Sequence, residues 1–247
     1  MSKVDWDEFA KAKSFRAVID PSDSNGIKNS LIDQIHWNAI SRNLKGSVSI
    51  LDFGCGIGRF AKRPADRNFE YCGIDTSIGM INRARQVNVP GKVEFIHSSR
   101  LPLPFSDGKF SACLSVWVLQ YLVKLRFDSG GDVFSELARI VSPGGQLLII
   151  EQATASGRSS GTVEAGSTEK EYVQALSDFF HIERLERIRC SKTTKLSQIC
   201  LRYGKHFLNR AAIDALARLE TQHALTANVN FLRGIDYYDI CISAVKR

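Results

Sequence analysis

The run Asp52-Phe53-Gly54-Cys55-Gly56-Ile57-Gly58 follows the apolar stretch Val48-Ser49-Ile50-Leu51 and leads into a helical pattern. Glycines at alternate positions between a strand and a helix allow a tight turn and let a ligand approach the backbone closely. The next apolar stretch, 70–75, ends in Asp75, 21 positions beyond Gly54. A carboxylate at that strand end can accept hydrogen bonds from both hydroxyls of a ribose. This is chemistry for holding a nucleoside. The dinucleotide fingerprint G-x-G-x-x-G needs glycine at position 59, where this chain has Arg59, and its third glycine comes one residue early at Gly58. The dehydrogenase reading loses at that residue.

The elements that must position this loop are legible from periodicity. Ile27, Leu31, Ile35, Ala39/Ile40 and Leu44 recur at helical spacing, which predicts an amphipathic helix over about 28–45 that Gly46 ends. Strands are predicted at 48–53, 70–75, 92–97, 110–117 and 146–151, with helices after the glycine loop, at 77–87 and near 131–141, the last ending at Pro143-Gly144-Gly145. Strands separated by helices of this length imply βαβ units and a mostly parallel, doubly wound α/β sheet. Pro64 falls inside the helix after the glycines, so that helix is kinked or short. Small polar residues over 153–167 read as a loop. A helix over 168–179, a strand over 180–190, helices near 195–205 and 209–222 and a β-branched, aromatic strand over 237–245 complete the pattern.

The G-x-G-x-G spacing after Leu51-Asp52 resembles the first motif of class I S-adenosylmethionine-dependent methyltransferases. Gly73-Ile74-Asp75-Thr76-Ser77 with Met80-Ile81 is similar to that family's second motif. The runs 103–110 with 114–121, and 136–145, resemble the segments around its fourth and before its fifth strand. Together they resemble the type 11 subgroup, which includes ubiquinone/menaquinone-type enzymes. The resemblance implies a Rossmann-like seven-stranded sheet with its last strand antiparallel, helices on both faces and a helical insertion before that strand. It implies one domain: an N-terminal helical cap (1–45), a cofactor-binding core (46–190), the insertion (191–234) and the final strand (235–247). The cofactor would be S-adenosyl-L-methionine, held by Asp52, Gly54, Cys55, Gly56, Gly58, Asp75, Thr76, Met80, Ser99, Arg100 and Val116, with Ile74 beside the adenine. Ser98-Ser99-Arg100 stands where the subgroup carries Gly-Asp-Ala, so Ser99 offers a hydroxyl in place of the acid. Asp52 is either a structural cap of the loop or a contact to the methionine portion.

Open α/β sheets bind ligands at the carboxyl ends of their strands. That directs the acceptor to Gln120 and Tyr121 after the fourth strand and to Gln152 after the fifth, with Lys28 and Asn29 of the N-terminal segment closing over them. Glu151 is the acid that this argument places at a strand end, as a general base if an acceptor hydroxyl needs one. The five histidines have no partner spacing and read as ordinary core or surface residues, and no metal site is expected.

The formal charge is +7, and the window 183–218 holds nine basic residues against three acids, so it carries +6 of that total. This is either a solvated helical face or an electropositive cap suited to an anionic or phosphorylated acceptor. The first reading is methyl transfer to a small molecule, such as a sugar or glycan precursor or another anionic metabolite. The second is an RNA methyltransferase, although Ser115-Val116-Trp117-Val118 is not the Asn/Asp-Pro-Pro-aromatic motif of exocyclic-amine enzymes. The third is a non-catalytic S-adenosylmethionine-binding regulator. Composition excludes wholesale disorder, with 44% hydrophobic and 24% charged residues in 247. The charged N-terminus lacks a signal-peptide core, the longest apolar run is too short for a membrane span, and six scattered cysteines suit a reducing, cytoplasmic setting.

Overall fold

A computed structural model describes residues 5–12, 14–44, 46, 49–65, 69–89, 91–119, 133–154, 167–190, 210–226 and 237–247. Its helices are α1 (Trp6–Phe9), α2 (Ile27–Asn43), α3 (Lys62–Ala65), α4 (Ile78–Ala84), α5 (Val133–Ile140), α6 (Glu169–Leu176) and α7 (Arg210–Thr226). The strands are β1 (Ser49–Phe53), β2 (Glu70–Asp75), β3 (Val93–His97), β4 (Phe110–Val116), β5 (Val141–Ala153), β6 (Phe180–Cys190) and β7 (Tyr238–Lys246), and a 3₁₀ turn spans Ser14–Ala17.

All seven strands form one sheet in the order β3-β2-β1-β4-β5-β7-β6. The neighbours from β3 to β5 pair in parallel, and β7 runs antiparallel between β5 and β6. Side-chain alternation explains the two cores. Leu51, Cys113, Leu147 and Ile149 face Phe134, Leu137, Tyr172 and Leu176 of α5 and α6. Ile50, Ala112, Leu148 and Ile150 face Leu31, Ile35, Ile81 and Ala217 of α2, α4 and α7. Strands covered on both faces read as continuous apolar runs, and each such buried side chain stabilises by about 1.5–3 kcal/mol.

The structure bears on the sequence pattern at three places. The helix bearing Pro64 is a single turn, as expected of a proline that removes one hydrogen bond and crowds the preceding turn. The helix expected near 131–141 ends at Ile140, ahead of Pro143, because Val141 already pairs with Phe110, and a bulge before Ala112 absorbs Ser142–Gly145. Helix α7 runs to Thr226, beyond the expected 222. The 195–205 helix and most of the 153–167 loop lie outside the described residues. Among the described residues, no helix is long and apolar enough to cross a membrane.

Chain order reverses between β1 and β4: the chain builds outward from β1 to β3, then returns to β4 on the other side of β1. A crevice opens at the carboxyl ends of these two strands, the position where open α/β sheets take their ligands.

Candidate active site

That crevice is a cavity of about 560 Å³, within the range of small-molecule sites. Phe53, Gly54 and Gly56 line it from the end of β1, and Ile74, Asp75, Thr76 and Met80 from β2 and α4. Ser98 to Leu101 line it after β3, Val116 to Val118 after β4, and Trp6 and Val18 from the N-terminal segment.

The glycine loop is shaped for close approach. Gly54 has φ +75, and a Cβ there would stand 2.3 Å from Val118 Cγ2, so any side chain would drive the β4 loop away. Gly58 at φ +72 would place a Cβ 2.9 Å from the Phe95 ring, so the third glycine serves loop packing against β3. Asp75 joins the loop to α4: its Oδ2 accepts from the Gly56 N–H at 2.8 Å and its Oδ1 from the Ser77 N–H at 2.9 Å. Burial pushes the Asp75 pKa up, against the pull of these amides. The carboxylate stands on the cavity wall with apolar Ile74 and Met80 beside it. These residues fit a nucleoside cofactor.

Several expected cofactor residues lie behind the cavity wall. Asp52 is buried and accepts a hydrogen bond from the Tyr71 hydroxyl, and burial raises its pKa to about 6. Cys55 is buried against Gly73, and Gly58 meets Phe95. By contrast Gly54, Gly56, Asp75, Thr76, Met80, Ser99, Arg100 and Val116 all line the cavity.

The acceptor-side residues separate as well. Gln120 and Tyr121 lie outside the described residues. Glu151 is fully buried, and its Oε1 accepts from the Val118 and Leu119 N–H groups at 2.8 and 2.7 Å, which fixes the turn after β4. Gln152 accepts through its backbone oxygen from the Tyr172 hydroxyl at 3.2 Å. Lys28 pairs with Asp20 at 2.5 Å, and Asn29 is buried, its side-chain amide donating to the Asp20 carbonyl at 3.0 Å. None of Glu151, Gln152, Lys28 and Asn29 is among the residues lining the cavity.

Sequence reasoning missed Trp6, Val18 and Trp117. Asp5 caps α1 by accepting from the Asp7 and Glu8 N–H groups, and Asp7 Oδ1 accepts from the Gly79 N–H at 2.9 Å and the Ser77 hydroxyl at 2.5 Å. Arg83 donates to the carbonyls of Ala10 and Ala12 at 2.7 and 2.6 Å. These contacts bind the N-terminal segment to α4 and bring Trp6 to the cavity. The legible signal was an Asp N-cap before an aromatic residue.

It also missed a buried chain of charge. His36 Nε2 lies 3.0 Å from Asp239 Oδ2, and Arg189 donates to both oxygens of Asp239 at 2.7 and 2.9 Å. Arg59 donates to His36 Nδ1 at 3.2 Å, and Asp33 takes Arg63 at 2.6 Å. Burial drops the His36 pKa to about 4, whereas for Asp239 the upward push of burial is outweighed by Arg189 and His36, and its pKa falls. The basic window is also paired in part: Arg184 with Glu186 and Arg218 with Asp214 inside it, and Arg187 with Glu169 of α6.

Residues 51–149 match a family model described as a methyltransferase domain. A putative methyltransferase of Encephalitozoon cuniculi (strain GB-M1) is 28% identical over 157 residues, 61% of this chain and 70% of that protein. An uncharacterized methyltransferase of Mycobacterium sp. (strain JLS) is 28% identical over 113 residues, 46% of this chain and 42% of that protein. The chain thus spans less than half the length of that mycobacterial relative. In fold, geranyl diphosphate methyltransferase solved with S-adenosylmethionine superposes with a TM-score of 0.63 at 17% identity, over 92% of each chain. The matched segment carries most of β1, the glycine loop, Asp75 and strands β2 to β4, on a fold shared with that S-adenosylmethionine-bound methyltransferase. The cavity lined by Gly54, Gly56, Asp75 and Met80 fits the cofactor bound in that neighbour.

Proposed function

We propose that the chain is a class I S-adenosylmethionine-dependent methyltransferase of the type 11 group, which transfers the cofactor's methyl group to a small-molecule acceptor bound between the β4 turn and the N-terminal segment. The observation that carries this is Asp75, fixed by the Gly56 and Ser77 amides on the wall of a bounded cavity at the β1/β4 switch point. When bound, the cofactor supplies an electrophilic methyl on a sulfonium.

The protein's part is alignment and exclusion of water. Asp75 holds the ribose end, and Ile74 and Met80 pack the purine. Ser99 and Arg100 close the far rim with a hydroxyl and a cation. The wall formed by Val116, Trp117 and Val118 keeps the transfer region dry, which suits a transition state that disperses charge. Glu151 acts here as a positioning residue, since its carboxylate already holds the turn that presents Trp117 and Val118. The pairing of Arg184, Arg187 and Arg218 with nearby carboxylates and a concave site of this volume favour a small acceptor over RNA. Five buried, free cysteines among the described residues suit a reducing compartment such as the cytoplasm.

The test incubates the protein with methyl-labelled S-adenosylmethionine and cell extract, then fractionates nucleic acid, protein, lipid/glycan and small-molecule pools. Enzyme-dependent label in a small-molecule or glycan pool is expected. Label confined to nuclease-sensitive material moves the assignment to RNA. Cofactor binding with no label in any pool favours a regulator.

A further inference from the structure

With the glycine loop, Asp75 and the 98–101 segment given to the cofactor, the wall between the N-terminal segment and the β4 and α5 ends is formed, among the described residues, by Trp6, Val18, Val116, Trp117, Val118 and Val133. Every one is apolar or aromatic. Such a surface gains chiefly from covering apolar area and offers a sugar hydroxyl or a phosphate no charge and no more than an indole N–H.

Trp117 differs from its neighbours in backbone and in bonding. Its φ is +59, a genuine outlier for a bulky side chain. Its indole Nε1 is buried with no hydrogen-bond partner among the described residues, so a second unfavourable feature falls on the same residue. The surroundings over-determine both. The Trp117 N–H donates to the Ile150 carbonyl at 2.8 Å, and Glu151 takes the next two amides. The ring meets His36 edge to face, with centroids 4.9 Å apart at 85°, and the Arg189 guanidinium stands 5.7 Å from the ring centroid. His36 and Arg189 are both fixed by Asp239, so the indole rests on a buried Arg189–Asp239–His36 brace. Strain that persists at a cavity wall, supported from behind by a rigid network, marks a side chain whose placement is used.

Resting on the methyl-transfer reading above, we propose that Trp117 is the specificity residue for the acceptor: its braced indole is the platform for an apolar, flat or branched body. Acceptors dominated by charge or hydroxyls are turned away at this wall. Asp239, His36 and Arg189 are positioning residues that act through the indole. An aromatic face of this kind contributes both area and ring-stacking selectivity.

The test has two readouts. In the first, neutral N-phenyl-1-naphthylamine is titrated by fluorescence into the protein saturated with S-adenosylhomocysteine, with glucose 6-phosphate as the polar competitor. Saturable probe binding is expected, weakened at least about tenfold in Trp117→Ala and kept within about threefold in Trp117→Phe, with S-adenosylhomocysteine affinity unchanged in both. Should Trp117→Ala not fold, Trp117→Leu is measured in its place. Probe binding that fails to saturate, that ignores the substitution, or that glucose 6-phosphate displaces overturns the proposal. In the second, the methylated product formed from cell extract is partitioned between ethyl acetate and water. Label in the organic layer is expected, and label in the water layer overturns the assignment. Failure of the wild type to bind S-adenosylhomocysteine overturns the methyl-transfer reading itself, so the two failures are told apart.

Discussion

Arg59 Nη2 lies 3.2 Å from His36 Nδ1, joining the residue just behind the third glycine to the middle of α2. Arg59 donates, so the Nδ1 lone pair is occupied and the ring proton sits on Nε2, facing Asp239. His36 is thereby held neutral as a linker between two buried ion pairs. The position that separates this loop from the dinucleotide fingerprint is a structural anchor.

Arg59→Gly recreates G-x-G-x-x-G in letters, yet no affinity for a nicotinamide dinucleotide is expected from it. Removing one partner of a buried ion pair costs about 3–5 kcal/mol, and here both Asp33 and His36 lose their contact. Urea unfolding checks the stability loss and calorimetry with NAD checks the absent gain. A stable variant that binds NAD contradicts the account.

The pH response of stability contains two opposing slopes. His36 titrates at about 4 when folded against 6.5 ordinarily, so its contribution is full above 6.5 and is lost as pH falls toward 4. Asp52 is raised from 3.8 to about 6, so its contribution is present at low pH and is lost as pH rises through 6. Between these limits they nearly cancel. In His36→Asn the first slope is gone, and the stability gap to wild type is expected to widen with pH by about 1.4 kcal/mol per unit between pH 4.5 and 6. Urea titrations across that range measure it, and a pH-independent gap contradicts it.

Gly54→Ala places its methyl 2.3 Å from Val118 Cγ2 on a backbone at φ +75. We expect S-adenosylhomocysteine affinity to fall at least about tenfold and stability to fall by about 1–3 kcal/mol. Adding Val118→Ala relieves the clash but leaves the backbone strain, so the double variant recovers part of the loss. Simple additivity of the two substitutions contradicts the contact.

Asp75→Asn keeps the shape of the side chain and removes its charge. Hydrogen bonds to a charged group contribute about 1.5–3 kcal/mol each, so calorimetry is expected to show binding of S-adenosylhomocysteine weakened by about 10- to 100-fold. Unchanged affinity removes Asp75 from the cofactor site.

Glu151→Ala leaves the Val118 and Leu119 amides without their acceptor, a cost of about 2–4 kcal/mol in thermal or urea unfolding. Glu151→Gln retains an acceptor oxygen, and its turnover is expected within a few-fold of wild type. A large fall in turnover for Glu151→Gln, with stability kept, restores a proton-transfer role.

The glycine loop, Asp75 and the strand order were legible because they depend on local spacing: a turn needs glycine at fixed positions, and a parallel sheet needs apolar runs between helices. What stayed hidden depends on distance in the chain. His36 meets Asp239 across 203 positions, so no local pattern announces the pair. Glu151 looked available because its residue type and strand-end position are those of a base, while the amides that occupy it come from another strand's turn. Lys28 and Asn29 were placed near the acceptor by position alone, but Asp20 and Asp23 of the preceding loop take their polar groups.

Strand β7 is the last of the seven in the chain, yet it lies between β5 and β6 and carries the carboxylate that neutralises Arg189. During synthesis, β6 therefore leaves the ribosome with no strand to join, and the carboxylate that accepts from both ends of its buried arginine follows 50 positions later. Vectorial folding of this sheet completes only when residues 238–246 insert, so a ribosome stalled before Tyr238 holds a nascent chain with an open seam, a natural substrate for chaperones and quality-control proteases.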